Sequence, residues 1–331
     1  MWFIFNLLLL LAIFFTLFRY ADMKTLKDML LKQGDLVALT ATARKVTLDE
    51  ILPAIQLFES WGLRVAIPEG LFDSDNQFAG SDAHRAAMLQ KLIDCNDVKA
   101  IFCVRGGYGT VRIVDDVDFS LLKTKPKWIV GYSDITVLHS HLECNYGVPT
   151  LHATMPLNIP PDACIRHYPA TETLHQVLFD GHLHYDFENN NVDGIRNRCG
   201  RCCAPIVGGN LSVLYSLLGS SSDINTEDKI LLIEDLDEYL YHIDRMMMAL
   251  KRSGKLKGLR GLLVGAMNDM HDNAVPFGRT AEQIVRDAVA DYDYPVAFHC
   301  PFGHIGTDNR ALPLGVTATI EVGENDVVID M

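Results

Sequence analysis

The chain has 331 residues, 49% of them hydrophobic and 21% charged, a balance that excludes a disordered polypeptide and suits two folded domains or one large one. With 29 Lys and Arg against 42 Asp and Glu the formal charge is −13, which disfavours nucleic acid and acidic membrane surfaces as partners and favours small molecules. Eight cysteines are a low density, and Cys103 lies inside an apolar run where it acts as a small hydrophobe, so the folded part reads as belonging to a reducing compartment.

Residues 2–18 are apolar except for Asn6 and Thr16, close to the lower limit of about 17 residues for a membrane-spanning helix. No basic region precedes them, no small-residue cleavage site follows, and Arg19, Lys24 and Lys27 come after. Residues 1–18 therefore read as an uncleaved inner-membrane anchor, or as a misassigned start ahead of Met23. Beyond Met23, short apolar runs alternate with amphipathic stretches, which predicts an α/β fold with a parallel sheet. Strands are expected at 36–39, 63–67, 100–104 and 128–132. Thr47 and Glu50 form a capping box for a helix carrying Ile51, Ile55 and Phe58, and a second helix is expected over 82–94. Residues 156–200 hold Pro156, Pro160, Pro161 and Pro169, four histidines and an Asn run, and read as a linker with little structure. Strands at 229–233, 261–267, 295–298 and 318–322, with a helix over 241–252, then predict a second α/β domain. The expected organisation is an apolar segment 1–22, a domain over 23–155, a linker over 156–200 and a domain over 201–331.

Ser133 follows the strand at 128–132 and precedes Ile135, Leu138 and Leu142 at helical spacing. In such a strand-to-helix turn a serine either caps the helix or stands exposed at the sheet edge, beside N–H groups able to hold an oxyanion. The loop Arg105-Gly106-Gly107-Tyr108-Gly109 permits either a tight turn or close backbone approach to a ligand; it fits neither dinucleotide nor P-loop patterns. Glu234 directly ends the apolar run 229–233 and is followed by Asp235, Asp237 and Glu238. A solvated loop is the plain alternative, but burial among carboxylates is also how an acid or orienting group is made. His304, flanked by Gly303 and Gly306, again follows a strand. Ser133, Glu234 and His304 together would supply nucleophile, orienter and general base. Cys199-Gly200-Arg201-Cys202-Cys203 contains a C-x-x-C without a second pair, and neither His139 with His141 nor Asp269 with His271 and Asp272 has ligand spacing, so no metal and no cofactor is expected.

The segments Arg105-Gly106-Gly107-Tyr108-Gly109, Gly131-Tyr132-Ser133-Asp134, Gly208-Gly209-Asn210-Leu211-Ser212, Ile233-Glu234-Asp235 with Tyr241-His242-Ile243-Asp244-Arg245-Met246, and Gly303-His304 with Leu312-Pro313-Leu314-Gly315 resemble, in order, the L,D-carboxypeptidases of peptidase family S66. These are muramoyltetrapeptide carboxypeptidases of murein recycling, and the resemblance spans about residues 34–322. It implies a flavodoxin-like or amidotransferase-like first domain, a second of swivelling β/α type, an active-site cleft between them and a homodimer. It also implies Ser133 as nucleophile, His304 as base, Glu234 as the carboxylate holding it, and an oxyanion hole from the N–H groups of Gly107 and Asp134. Glu238 is an alternative acid, but the motif falls on Glu234. Where the family often has a Pro-Ser pair after the first strand, this chain has Thr40-Ala41-Thr42-Ala43, and Asn210 or Arg245 could bind the substrate carboxylate. The implied activity is metal-free removal of terminal D-Ala from a murein tetrapeptide in the cytoplasm. Two other readings stand beside it: a same-family immunity hydrolase of acyl-adenylate-like toxins, and a non-catalytic muropeptide-binding protein. An α/β-hydrolase is disfavoured because the turn lacks the second Gly of G-x-S-x-G.

Overall fold

In the computed structural model, which describes residues 26–188 and 194–331, the first apolar runs assemble as expected into a parallel sheet. Its elements are β1 (Leu36–Thr40), α1 (Leu48–Ser60), β2 (Arg64–Ala66), α2 (Asp82–Asp94), β3 (Val98–Cys103), β4 (Trp128–Gly131), α3 (Thr136–Tyr146) and β5 (Thr150–His152). Helix α1 starts where the capping box places it: Glu50 Oε2 accepts the Thr47 N–H at 2.7 Å, so a backbone donor at the helix start is satisfied. Its Ile51, Ile55 and Phe58 then bury against the sheet, the Phe58 ring standing 4.5 Å from that of Phe102. All four residues of β4 are buried, as a central parallel strand requires.

Residues 156–200 are more structured than expected. They contain α4 (Pro169–Phe179) and β6 (His184–Glu188). Pro169 occupies the first turn of its helix, where the missing N–H costs nothing. In β6, buried Tyr185 and Phe187 alternate with exposed His184, Asp186 and Glu188, the period of a half-buried strand. Of the prolines that suggested a linker, Pro156 and Pro169 start helical turns while Pro160 and Pro161 lie between them outside any helix, and the Asn run at 189–191 lies outside the described residues.

The second layer comprises β7 (Gly200–Asn210), α5 (Leu211–Ser216), β8 (Ile230–Leu236), α6 (Leu240–Arg252), β9 (Gly261–Asn268), α7 (Ala281–Ala288), β10 (Val296–Ala297), β11 (Leu312–Leu314), β12 (Thr317–Val322) and β13 (Asp326–Asp330). Without β11, these strands and β6 form a seven-stranded sheet in the order β10-β9-β8-β7-β12-β13-β6, parallel from β10 to β7 and antiparallel beyond. β11 instead crosses to the first sheet and pairs antiparallel with β5, completing the order β11-β5-β4-β3-β1-β2. One apolar core runs through both sheets, from Leu39, Phe102 and Trp128 to Ile206, Leu232 and Phe302. Ser133 lies two residues beyond the carboxyl end of β4 and Glu234 two residues before that of β8, near the edge of an open parallel sheet where ligands bind.

Among the described residues no helix is long and apolar enough to cross a membrane. Residues 1–18, expected as an anchor, lie outside them.

Candidate active site

Ser133 is built into a strained turn. Tyr132 is extended (φ −151°, ψ −171°), but Ser133 sits at φ 63°, a left-handed conformation that costs a non-Gly residue about 1–3 kcal/mol. The turn is tight: a methyl group on Gly131 would meet Ile135 Cγ1 at 2.8 Å. The glycine-rich loop lies against it, and a methyl on Gly106 would stand 3.2 Å from Ser133 Oγ and 3.4 Å from the Asp134 backbone N. Asp134 fixes that loop, its buried Oδ2 accepting the Thr110 N–H at 2.9 Å. Burial pushes the Asp134 carboxyl above the ordinary carboxylate range, against hydrogen bonds from Thr110 and Gly109 and the charge of Arg85. Arg85, itself fully buried, donates to the carbonyls of Thr42 and Gly109 and ties the same loop from below. The capping alternative for Ser133 is not realised, because no side-chain cap bond forms at the start of this turn.

Glu234 and Asp235 leave β8 on opposite faces, as adjacent strand residues must. Fully buried Glu234 accepts the His304 Nδ1–H through Oε2 at 2.7 Å. Asp235 turns to α5, accepting from Ser212 N–H at 2.9 Å and Asn210 Nδ2 at 3.1 Å; burial and the Glu234 charge push its carboxyl up to about 6. For His304, burial alone would lower the imidazole pKa. The hydrogen bond and charge of Glu234, with the charge of Asp235, outweigh burial and hold it above its ordinary value. The backbone is pinned on both sides: Asn268 Nδ2 donates to His304 O at 2.7 Å, and buried Asn309 Oδ1 accepts the Gly303 N–H at 2.8 Å.

The two halves meet through Tyr132, whose ring centroid lies 4.8 Å from that of His304. Ser133 and His304 thus share one neighbour, Tyr132 preceding the serine in the backbone and packing its ring against the imidazole. No direct Ser133–His304 hydrogen bond forms among the described residues, and such contacts often tighten only with substrate bound. Behind Tyr132, His152 is fully buried; burial, then the charges of His139 and His304, lower it to about 3, so it stays neutral. Gly209 permits close approach of β7 to the start of α3: a methyl there would meet Thr136 Oγ1, and Asn210 N–H donates to the same Thr136 Oγ1 at 2.9 Å, one turn past Ser133.

Gly303 offers a measurable check on this geometry. At φ 97°, a methyl there would lie 2.4 Å from Glu234 Oε2, the atom that holds His304. Gly303→Ala should lose about 1–3 kcal/mol of stability and lower kcat beyond what unfolding explains, measured by thermal melts beside turnover. Gly254→Ala is the control, since Gly254 has φ 82° with nothing within 4 Å and carries the backbone cost alone.

Other sequence candidates lie elsewhere. Asn210 is committed as the cap of α5, its Oδ1 accepting from Val213 N–H at 3.2 Å and Ser212 Oγ at 2.8 Å. Arg245 is exposed on α6 with its guanidinium 5.2 Å from the Tyr241 ring centroid. Glu238 pairs at 2.5 Å with a different histidine, His242. Gly107, at φ 106°, sits in the loop facing Ser133. Among the described residues no group of three His, Cys, Asp or Glu could hold a metal. Sequence reasoning missed Tyr132, Asn268 and Asn309; of these only Tyr132, adjacent to the serine, stood in a motif already singled out.

Residues 37–153 match the family model of the LD-carboxypeptidase N-terminal domain and residues 204–320 that of its C-terminal domain. The chain is 35% identical over 310 residues to a probable murein peptide carboxypeptidase of Bacillus subtilis, covering 92% of this chain and 94% of the relative. The fold is that of muramoyltetrapeptide carboxypeptidase from Oxalobacter formigenes (TM-score 0.79, 24% identity, 89% and 98% of the two chains). It is equally that of MccF in complex with glutamyl sulfamoyl guanosine (TM-score 0.79, 19% identity, 91% and 97%). With both domain models matched in order and a relative of this identity along nearly its whole length, the chain belongs to the LD-carboxypeptidase family, peptidase family S66.

Proposed function

We propose that this protein is a serine carboxypeptidase that hydrolyses the bond between the L-centre of a diamino acid and the terminal D-Ala of a murein tetrapeptide. The observation that carries this reading is the buried Glu234–His304 pair, joined through Tyr132 to a serine held at positive φ. The name of the Bacillus subtilis relative supports the substrate class. Ser133 Oγ attacks the scissile carbonyl while His304 Nε2 takes its proton, and Glu234 holds the Nδ1–H tautomer and stabilises the imidazolium. The N–H groups of Gly107 and Asp134 receive the oxyanion, each such donor contributing about 10²–10³ in rate. His304 then protonates the departing amine of D-Ala, and water activated by the same imidazole hydrolyses the acyl-enzyme. The same reading includes a cytoplasmic homodimer that serves peptidoglycan recycling.

The test incubates the purified chain with murein tetrapeptide and follows free D-Ala by mass spectrometry. D-Ala is expected with or without excess EDTA, because Ser133 is the nucleophile. Turnover lost to EDTA and restored by zinc would replace the serine mechanism. Hydrolysis of acyl-sulfamoyl nucleosides with the tetrapeptide untouched would favour the immunity-type reading.

A further inference from the structure

A carboxypeptidase must recognise the free carboxylate of the residue it releases, and none of Ser133, Glu234, His304, Gly107 or Asp134 offers a cation. In the leaving amino acid that carboxylate carbon is three bonds from the scissile carbonyl carbon, about 4 Å away. Its receptor must therefore border the oxyanion hole. Asn210 has its amide committed to Asp235 and α5, and the Arg245 guanidinium lies over Tyr241.

Arg44 meets the requirement. It lies between β1 and α1, its backbone bridged to Phe78 and its aliphatic stem laid along Gly107. A methyl on Gly107 would stand 2.2 Å from Arg44 Cδ and 3.5 Å from its Nε, so the guanidinium begins beside the backbone that presents the oxyanion N–H. The side chain is exposed, and among the described residues it makes no ion pair or hydrogen bond. The neighbouring arginines are engaged: Arg85 and Arg112 with Asp82, and Arg105 Nη1 with Lys45 O at 3.2 Å. A second cation on the same loop, Arg105, adds to the local positive field of a chain whose net charge is −13.

We propose that Arg44 receives the terminal carboxylate of the substrate, its planar fork donating to both carboxylate oxygens while Gly107 N–H faces the oxyanion. The inference rests on the peptidase reading of the site and adds to it the residue that makes the enzyme an exopeptidase. It also fits the departure noted in the sequence, since Arg44 directly follows Thr40-Ala41-Thr42-Ala43.

The experiment compares a D-Ala-terminated tetrapeptide with its C-terminal amide, on wild type, Arg44→Gln and Arg44→Lys. Wild type should prefer the free acid. In Arg44→Gln the acid-to-amide ratio of kcat/KM should fall by about 10- to 100-fold, mostly through KM, the range for losing a charge-assisted pair. Arg44→Lys should recover part of the preference, because it restores charge without the fork. An unchanged ratio in a folded Arg44→Gln variant overturns the inference alone. Wild type that hydrolyses neither peptide overturns the peptidase reading and the inference with it.

Discussion

Ser133→Ala should give a folded protein with almost no turnover. The Ser133 hydroxyl makes no hydrogen bond among the described residues, and alanine at φ 63° is as strained as serine, so stability should change by no more than about 0.5 kcal/mol. Loss of the nucleophile of a serine triad lowers kcat by about 10⁶, leaving only what binding and the oxyanion hole supply. Thermal unfolding and D-Ala release on the same preparation make the comparison. More than a few per cent of wild-type turnover at unchanged stability would assign the attack to another group. The structure sharpens this expectation, because the sequence alone allowed Ser133 to be a helix cap whose loss would itself destabilise the turn.

Glu234→Gln should be the second large effect, about 10⁴ in kcat by comparison with the equivalent carboxylate-to-amide change in a serine protease. The amide preserves shape but cannot balance the imidazolium charge, and it permits the wrong tautomer. The pH profile gives an independent reading. A general base works only when neutral, and His304 is held above its ordinary value of about 6.5, so the acidic limb of kcat/KM should lie above that value in wild type. Removing the Glu234 charge leaves burial as the dominant influence, so residual activity should persist to lower pH, with the limb below about 6.5. A limb that stays fixed in Glu234→Gln would show that His304 is not the titrating base. Glu238→Gln, by contrast, should keep turnover within about tenfold, because Glu238 is bound to His242 rather than to His304.

Ser133 and Glu234 stand out as candidates in the sequence because each follows an apolar run. β4 is a buried strand that ends two residues before Ser133, whereas β8 continues two residues past Glu234 to Leu236, beyond the end expected at residue 233. The α2 boundaries, residues 82–94, follow from the Ser81 cap and the apolar period. β7 was illegible: it contains three glycines, a proline and two cysteines, which read locally as loop, and it becomes a strand only because β8 and β12 hydrogen-bond to it from either side. β5 and β11, three residues each, are too short to show a period. Asn268 and Asn309 lie in or beside loops, where a polar residue carries no periodic signal, and their function exists only through the backbone they hold near His304.

The exchange of β11 into the first sheet also bears on the order in which the protein becomes active during synthesis. Domains emerging from the ribosome generally fold as units, the N-terminal one first. Here the β5 edge, carrying His152 behind Tyr132, is paired by Leu312–Leu314, which is translated after His304. The sheet that carries Ser133 therefore reaches its full complement of strands only once His304 has also been made. An isolated nascent first half would carry the serine beside an open strand edge, so the bond that completes its sheet also ties serine and histidine to a single folding event.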